Sequence, residues 1–103
     1  MSETIYTAAN PGEFAEKKEK HIPVATVEGD SIRVKVGVET HPMEATHYIE
    51  WIGIFRSGVE IARKDLQPGD APEAIFTGIT DFTNLTAREK CNLHGLWESV
   101  ILV

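Results

Sequence analysis

Residues 32–39 read Ile-Arg-Val-Lys-Val-Gly-Val-Glu, apolar at every even position and polar or glycine at every odd one. A period of two marks a strand with one face in a core and one in water, because successive side chains of an extended chain point to opposite sides. A helix buries positions three and four apart and cannot use this pattern. The flanking sequence is punctuated for the same architecture. Gly29-Asp30 offers a two-residue hairpin between this run and a short strand at 24–28. Residues 48–55 are aromatic and β-branched, as in a central strand. Ser57-Gly58 turns into a strand at 59–64, and Pro68-Gly69-Asp70 with Pro72 forms a loop. Strands at 74–79, 85–90 and 96–103 complete a set of about seven, which predicts a β-sandwich or a small barrel.

The first 23 residues follow another rule. Asn10-Pro11-Gly12-Glu13 has the form of a helix start, with Asn10 as cap and Pro11 in the first turn. Residues 13–20 are rich in Glu, Lys and Ala, so a short helix or turn is expected there. Pro23 ends it, since proline disfavours helical geometry at the preceding Ile22.

At 103 residues the chain is expected to be one domain, 1–103, with one modest core. Sixteen acidic and ten basic residues give a formal net charge of −6, with no basic stripe to neutralise phosphates, which argues against nucleic-acid binding. The same charge repels an anionic substrate, so a site that uses one needs local positive charge. No apolar run approaches the roughly 20 residues that cross a bilayer. Met1-Ser2-Glu3-Thr4 lacks the basic-then-apolar order of a secretory leader, so the cytoplasm is the expected location. A single cysteine, Cys91, excludes an internal disulfide and fits a reducing compartment.

Chemistry is concentrated in few residues. Cys91 and His94 stand as Cys-x-x-His, His41 and His47 share the segment His-Pro-Met-Glu-Ala-Thr-His, and His21 precedes Ile22-Pro23. Each histidine falls at a predicted loop or strand end, where ligands can converge. One histidine alone is more often a solvated or hydrogen-bonded side chain than a ligand, and a lone cysteine is more often an inert buried thiol. Together the four histidines and the cysteine make a possible five-donor metal set. A structural zinc site closes with four ligands. Five nitrogen and sulfur donors would leave one octahedral position open, which suits iron binding a small molecule. The short Cys-x-x-His spacing predicts that His94 uses its nearer ring nitrogen.

Glu-Lys-His-Ile-Pro at 19–23, His-Pro…His at 41–47 and Cys-Asn-Leu-His-Gly-Leu-Trp at 91–97 resemble the superoxide reductases. That family is also called neelaredoxin, and it supplies the catalytic domain of desulfoferrodoxin. The motifs stand in the family's order, and the resemblance spans roughly residues 3–103. It is to the one-iron class, and the stretch 57–86 is short beside many members. The resemblance implies an all-β, immunoglobulin-like sandwich with one mononuclear non-haem iron, Fe2+/Fe3+, near its surface. It implies His21, His41, His47 and His94 as equatorial ligands, and Cys91 as the axial thiolate. Glu19 would cap the oxidised iron, and Lys20 would stand beside the open position.

The implied reaction is one-electron reduction of superoxide to hydrogen peroxide. The resemblance also implies a small redox protein such as rubredoxin as electron donor, and a homo-oligomer, dimer or tetramer. Lys17 and Lys18 read as a solvated face, and Trp51 and Trp97 as core. Two alternatives are an iron-binding electron-transfer protein without superoxide chemistry and a metal-free interaction module. Lys20 speaks against the first, and the gathering of every histidine with the only cysteine speaks against the second.

Overall fold

A computed structural model describes residues 4–39 and 41–102. Residues 1–3, read above as the start of a leaderless chain, and Val103, read as the end of the last strand, lie outside the described residues.

A two-residue strand β1 (Ile5–Tyr6) leads into a 3-10 turn (Gly12–Lys17) and one turn of helix, α1 (Lys18–His21). Seven strands follow: β2 (Pro23–Glu28), β3 (Ser31–Val36), β4 (Ile49–Arg56), β5 (Val59–Asp65), β6 (Glu73–Phe76), β7 (Leu85–Cys91) and β8 (Gly95–Val100). They form two sheets, β1-β8-β7-β4-β5 and β2-β3-β6, packed as an immunoglobulin-like sandwich. All pairings are antiparallel except β1 with β8.

The alternating run behaves as its period requires. Ile32, Val34 and Val36 are fully buried, while Arg33 and Lys35 face water. They meet Ile52 and Ile54 of β4 and Leu85 and Ala87 of β7 in one core between the sheets. The Gly29-Asp30 turn joins β2 to β3 in the expected register, with Glu28 opposite Ser31.

The largest departures from the sequence reading are three early strand ends and one added strand. β3 stops at Val36, because Gly37 turns out of the strand at φ +85° and gives its N–H to the Ile22 carbonyl at 2.9 Å. Val38 continues the alternation but is 70% exposed. β6 ends at Phe76 and β8 at Val100, each before the residue predicted. β1 is additional: it adds to the sheet edge beside β8, with Tyr6 opposite Trp97.

Register fixes which ends coincide. Pro23 pairs with Val36, so α1 and the segment leaving β3 emerge together. Ile49 pairs with Cys91 and Cys91 with Gly95, so the entry to β4 and the β7–β8 turn share one end of the other sheet.

Candidate metal centre

Three connections carry the candidate ligands to this end. His21 closes α1, His41 and His47 lie on the β3–β4 connection, and Cys91 and His94 flank the β7–β8 turn. The β3–β4 connection is doubly fastened. Glu44 and His47 exchange backbone hydrogen bonds of 2.9 and 3.1 Å, which makes a tight turn before His47. Asn92 then ties that turn to the β7–β8 hairpin: its Oδ1 accepts from the Tyr48 N–H at 3.0 Å, and its Nδ2 donates to the Thr46 carbonyl at 3.0 Å. Asn92 thus fastens two of the three ligand-bearing connections to each other.

Two rings are oriented through the nitrogen turned away from the centre. His21 Nδ1 lies 2.8 Å from the Lys17 carbonyl and His41 Nδ1 lies 2.6 Å from the Pro42 carbonyl. A carbonyl only accepts, so each Nδ1 carries the proton and each Nε2 presents a lone pair. Those two Nε2 atoms face each other at 3.0 Å. His47 Nε2 is buried with no hydrogen-bond partner. Cys91 Sγ completes the group, 3.5 Å from His41 Nε2 and 3.8 Å from His94 Nδ1.

Facing lone pairs and an orphaned buried nitrogen are costly unless a cation lies between them. One donor atom from each of His21, His47, Cys91 and His94 lies within 4.8 Å of every other. Donors about 2.0–2.3 Å from a shared ion stand at most about 4.6 Å apart, so the set has nearly the span of a coordination sphere. His41 joins it through its contacts with His21 and Cys91. The residues present fit a metal, and a nitrogen-rich set with one thiolate suits iron, zinc or copper and not calcium or magnesium.

Burial sets the protonation of these groups. It pushes His21 and His41 down to about 4 and lowers His94, with the Lys17 ammonium adding to the effect at His21 and His94. Neutral imidazole is the ligating form, so the rings stand ready at neutral pH. Burial also raises the Cys91 thiol, against the Leu93 and His94 N–H groups directed at its sulfur. A bound cation reverses that preference and makes the thiolate.

Glu19 and Lys20 are exposed on α1, and neither belongs to the four-donor group. The Glu19 carbonyl accepts the Glu39 N–H at 3.0 Å, which holds α1 against the segment leaving β3. Lys17, read from sequence as part of a solvated face, is the cation felt by two of the histidines. Glu89 was not singled out. It is fully buried, neither carboxylate oxygen has a hydrogen-bond partner among the described residues, and burial raises its carboxyl well above the usual range. Its place between Ile52 and Trp97 in the register puts it on the core face of β7.

Known proteins resemble this chain in sequence and in fold. The desulfoferrodoxin family profile matches residues 13–100. A desulfoferrodoxin homolog of Archaeoglobus fulgidus is 52% identical over 84 residues, 82% of this chain and 65% of that protein. The superoxide reductase of Pyrococcus horikoshii is 33% identical over 101 residues, covering 82% of this chain and 88% of that one. Among solved structures, the superoxide reductase (neelaredoxin) of Ignicoccus hospitalis superposes with a TM-score of 0.71 at 36% identity, covering 92% of this chain and 89% of that one. That of Treponema pallidum gives 0.71 at 41% identity, covering 82% and 69%. The chain spans just under two thirds of the length of the desulfoferrodoxins it matches first. A family profile that runs from the 3-10 turn through β8, with relatives more than half identical over about four fifths of the chain, places the chain in the desulfoferrodoxin family.

Proposed function

We propose that this chain is a superoxide reductase, built as one domain over 1–103, which uses one mononuclear iron held by His21, His41, His47, His94 and Cys91. The observation that carries the reading is the convergence of histidine nitrogens and the Cys91 sulfur on one point, with two Nε2 lone pairs 3.0 Å apart. Relatives named superoxide reductase and desulfoferrodoxin support it. Iron, when bound, supplies the electron in the balanced change O2•− + e− + 2H+ → H2O2.

The chain's own groups do the rest. The two carbonyl-anchored histidines, His21 and His41, keep their lone pairs aimed inward. Cys91, as thiolate, donates electron density to the centre, and the N–H groups of Leu93 and His94 moderate it. Lys20, exposed one residue before His21, draws the anion against the net charge of −6 and holds a proton for the departing peroxide. Glu19, its neighbour, covers the centre when it is oxidised. The electron comes from a small redox protein such as rubredoxin. The protein works as a homo-oligomer, dimer or tetramer, in the cytoplasm. Among the described residues no helix is long and apolar enough to cross a membrane.

Protein expressed with ample iron is expected to carry about one iron per chain and no haem, and when reduced to consume superoxide with peroxide as product and no dioxygen. Zinc alone after iron-replete growth would refute the iron assignment. Matching dioxygen release would show dismutation instead, and iron without superoxide consumption would leave electron transfer as the activity.

A further inference from the structure

Beyond the five donors, a circuit of aromatic rings closes around two of them. His94 meets Phe14 edge-on at 5.2 Å, Phe14 meets Tyr6 edge-on at 5.2 Å, and Tyr6 lies 5.3 Å from Trp97. Trp97 stacks on His21 at 5.4 Å, and His21 meets His94 at 4.9 Å. All five separations lie in the range where ring pairs attract beyond simple burial. The Trp97 indole also donates to the His94 carbonyl at 3.0 Å.

The position of Tyr6 is built by the backbone on both sides. Gly12 and Gly95 have φ of +59° and +82°, and a Cβ on them would come within 2.7 and 3.2 Å of the Tyr6 ring. Two glycines thus form a slot that side chains would fill. The parallel pairing of β1 with β8 places Tyr6 there, opposite Trp97. The 3-10 turn breaks its helical dihedrals at Phe14, at φ −105° and ψ 28°, as that ring meets His94.

His94 lacks the carbonyl anchor that His21 and His41 have. His21 and His41 are each fixed by a carbonyl at Nδ1, whereas His94 turns its Nδ1 toward Cys91 Sγ. It sits on a turn beside Leu93, which is 58% exposed, and it borders an open cleft of about 320 Å³. Its ring orientation therefore depends on what packs against it. We infer that Phe14 is a positioning residue for His94, and that Tyr6, slotted between Gly12 and Gly95, holds Phe14 in place. The inference rests on the metal-centre reading. It makes the N-terminal strand and turn part of the site without supplying a ligand.

The test is a Co2+ titration of metal-free protein, parent against Phe14→Leu, Phe14→Tyr and Tyr6→Leu, following the thiolate-to-cobalt and d–d bands. Edge-to-face energies translate into a Kd about two- to tenfold weaker for Phe14→Leu, with shifted d–d bands. Phe14→Tyr keeps the edge and restores both. Tyr6→Leu weakens binding in the same direction, and combining it with Phe14→Leu adds less than the sum of the two effects. A parent with the thiolate band and a Phe14→Leu protein with the parent's Kd and bands overturns the brace alone, even if the variant melts lower. A parent that takes up cobalt without a thiolate band overturns the metal-centre reading, and the brace with it.

Discussion

Gly37→Ala tests the joint on which His21 and His41 both depend. Gly37 turns the chain from β3 toward His41, and its Cα faces the backbone of α1. A Cβ there would collide with the Glu39 carbonyl oxygen and lie 2.7 Å from the Lys20 carbonyl oxygen. Neither obstacle is a flexible side-chain tip, so the two backbones must part. Two hydrogen bonds span the joint, Gly37 N–H to the Ile22 carbonyl at 2.9 Å and Glu39 N–H to the Glu19 carbonyl at 3.0 Å. Each contributes about 1 kcal/mol. The left-handed φ of +85° adds about 1 kcal/mol against any residue with a Cβ. The sum is about 3 kcal/mol, which lowers Tm by about 12–24 °C in a domain of this size.

Gly58→Ala is the matched control. Gly58 has φ +84° but open space where the Cβ would stand, so only the conformational part applies, about 1 kcal/mol. Urea denaturation of both variants, metal-free and metal-loaded, separates the contributions. The difference of about 2 kcal/mol belongs to the close approach of α1 and the segment leaving β3. Gly37→Ala should also lower metal affinity, because parting those backbones separates the two Nε2 atoms. Equal destabilisation of the two variants, within about 0.5 kcal/mol, would refute the reasoning.

Cys91→Ser should abolish the sulfur-to-iron charge-transfer band of the oxidised protein, read in the visible spectrum; a retained band removes Cys91 from the ligand set. Metal-free protein should lose stability as pH falls from 6.5 toward 4, because the unfolded chain takes up protons that folded His21 and His41 refuse. A fall from 6.5 to about 4 is worth up to about 3 kcal/mol per ring, and urea melts across that window that stay flat would contradict it. Lys20→Ala should slow the reaction with superoxide and weaken its salt dependence in stopped-flow traces, and an unchanged rate and salt profile would exclude Lys20 from the mechanism.

The candidate donors were easier to read in the sequence than the ends of the strands that carry them. His21, His41, His47, Cys91 and His94 were legible because short motifs hold them, although His21 and His94 are 73 residues apart in the chain. Parity revealed the core face of β3, since Ile32, Val34 and Val36 are buried. Parity could not show where pairing stops: Val38 has the right parity yet is exposed, because a strand ends where its hydrogen-bond partner ends and not where its pattern does. Glu89 illustrates the converse. It shares the parity of Leu85, Ala87 and Cys91, and the pattern therefore pointed it inward, but the chemical character of a carboxylate hid that signal.

Tyr6 and Phe14 were harder still, for a physical reason. β1 has two residues, too few for any period, and the 3-10 turn buries no residue fully. Their work becomes visible only when the pairing of Ile5 with Leu96 and Tyr6 with Trp97 brings the first residues of the chain against the last strand. The same holds for the centre as a whole. Pro23 opposite Val36, and Ile49 and Gly95 both opposite Cys91, gather three separate connections at one end of the sandwich. Motifs picked out the candidate donors, but strand register is what makes them neighbours, so a one-residue slip in β7 would turn Cys91 out of the group while leaving every motif intact.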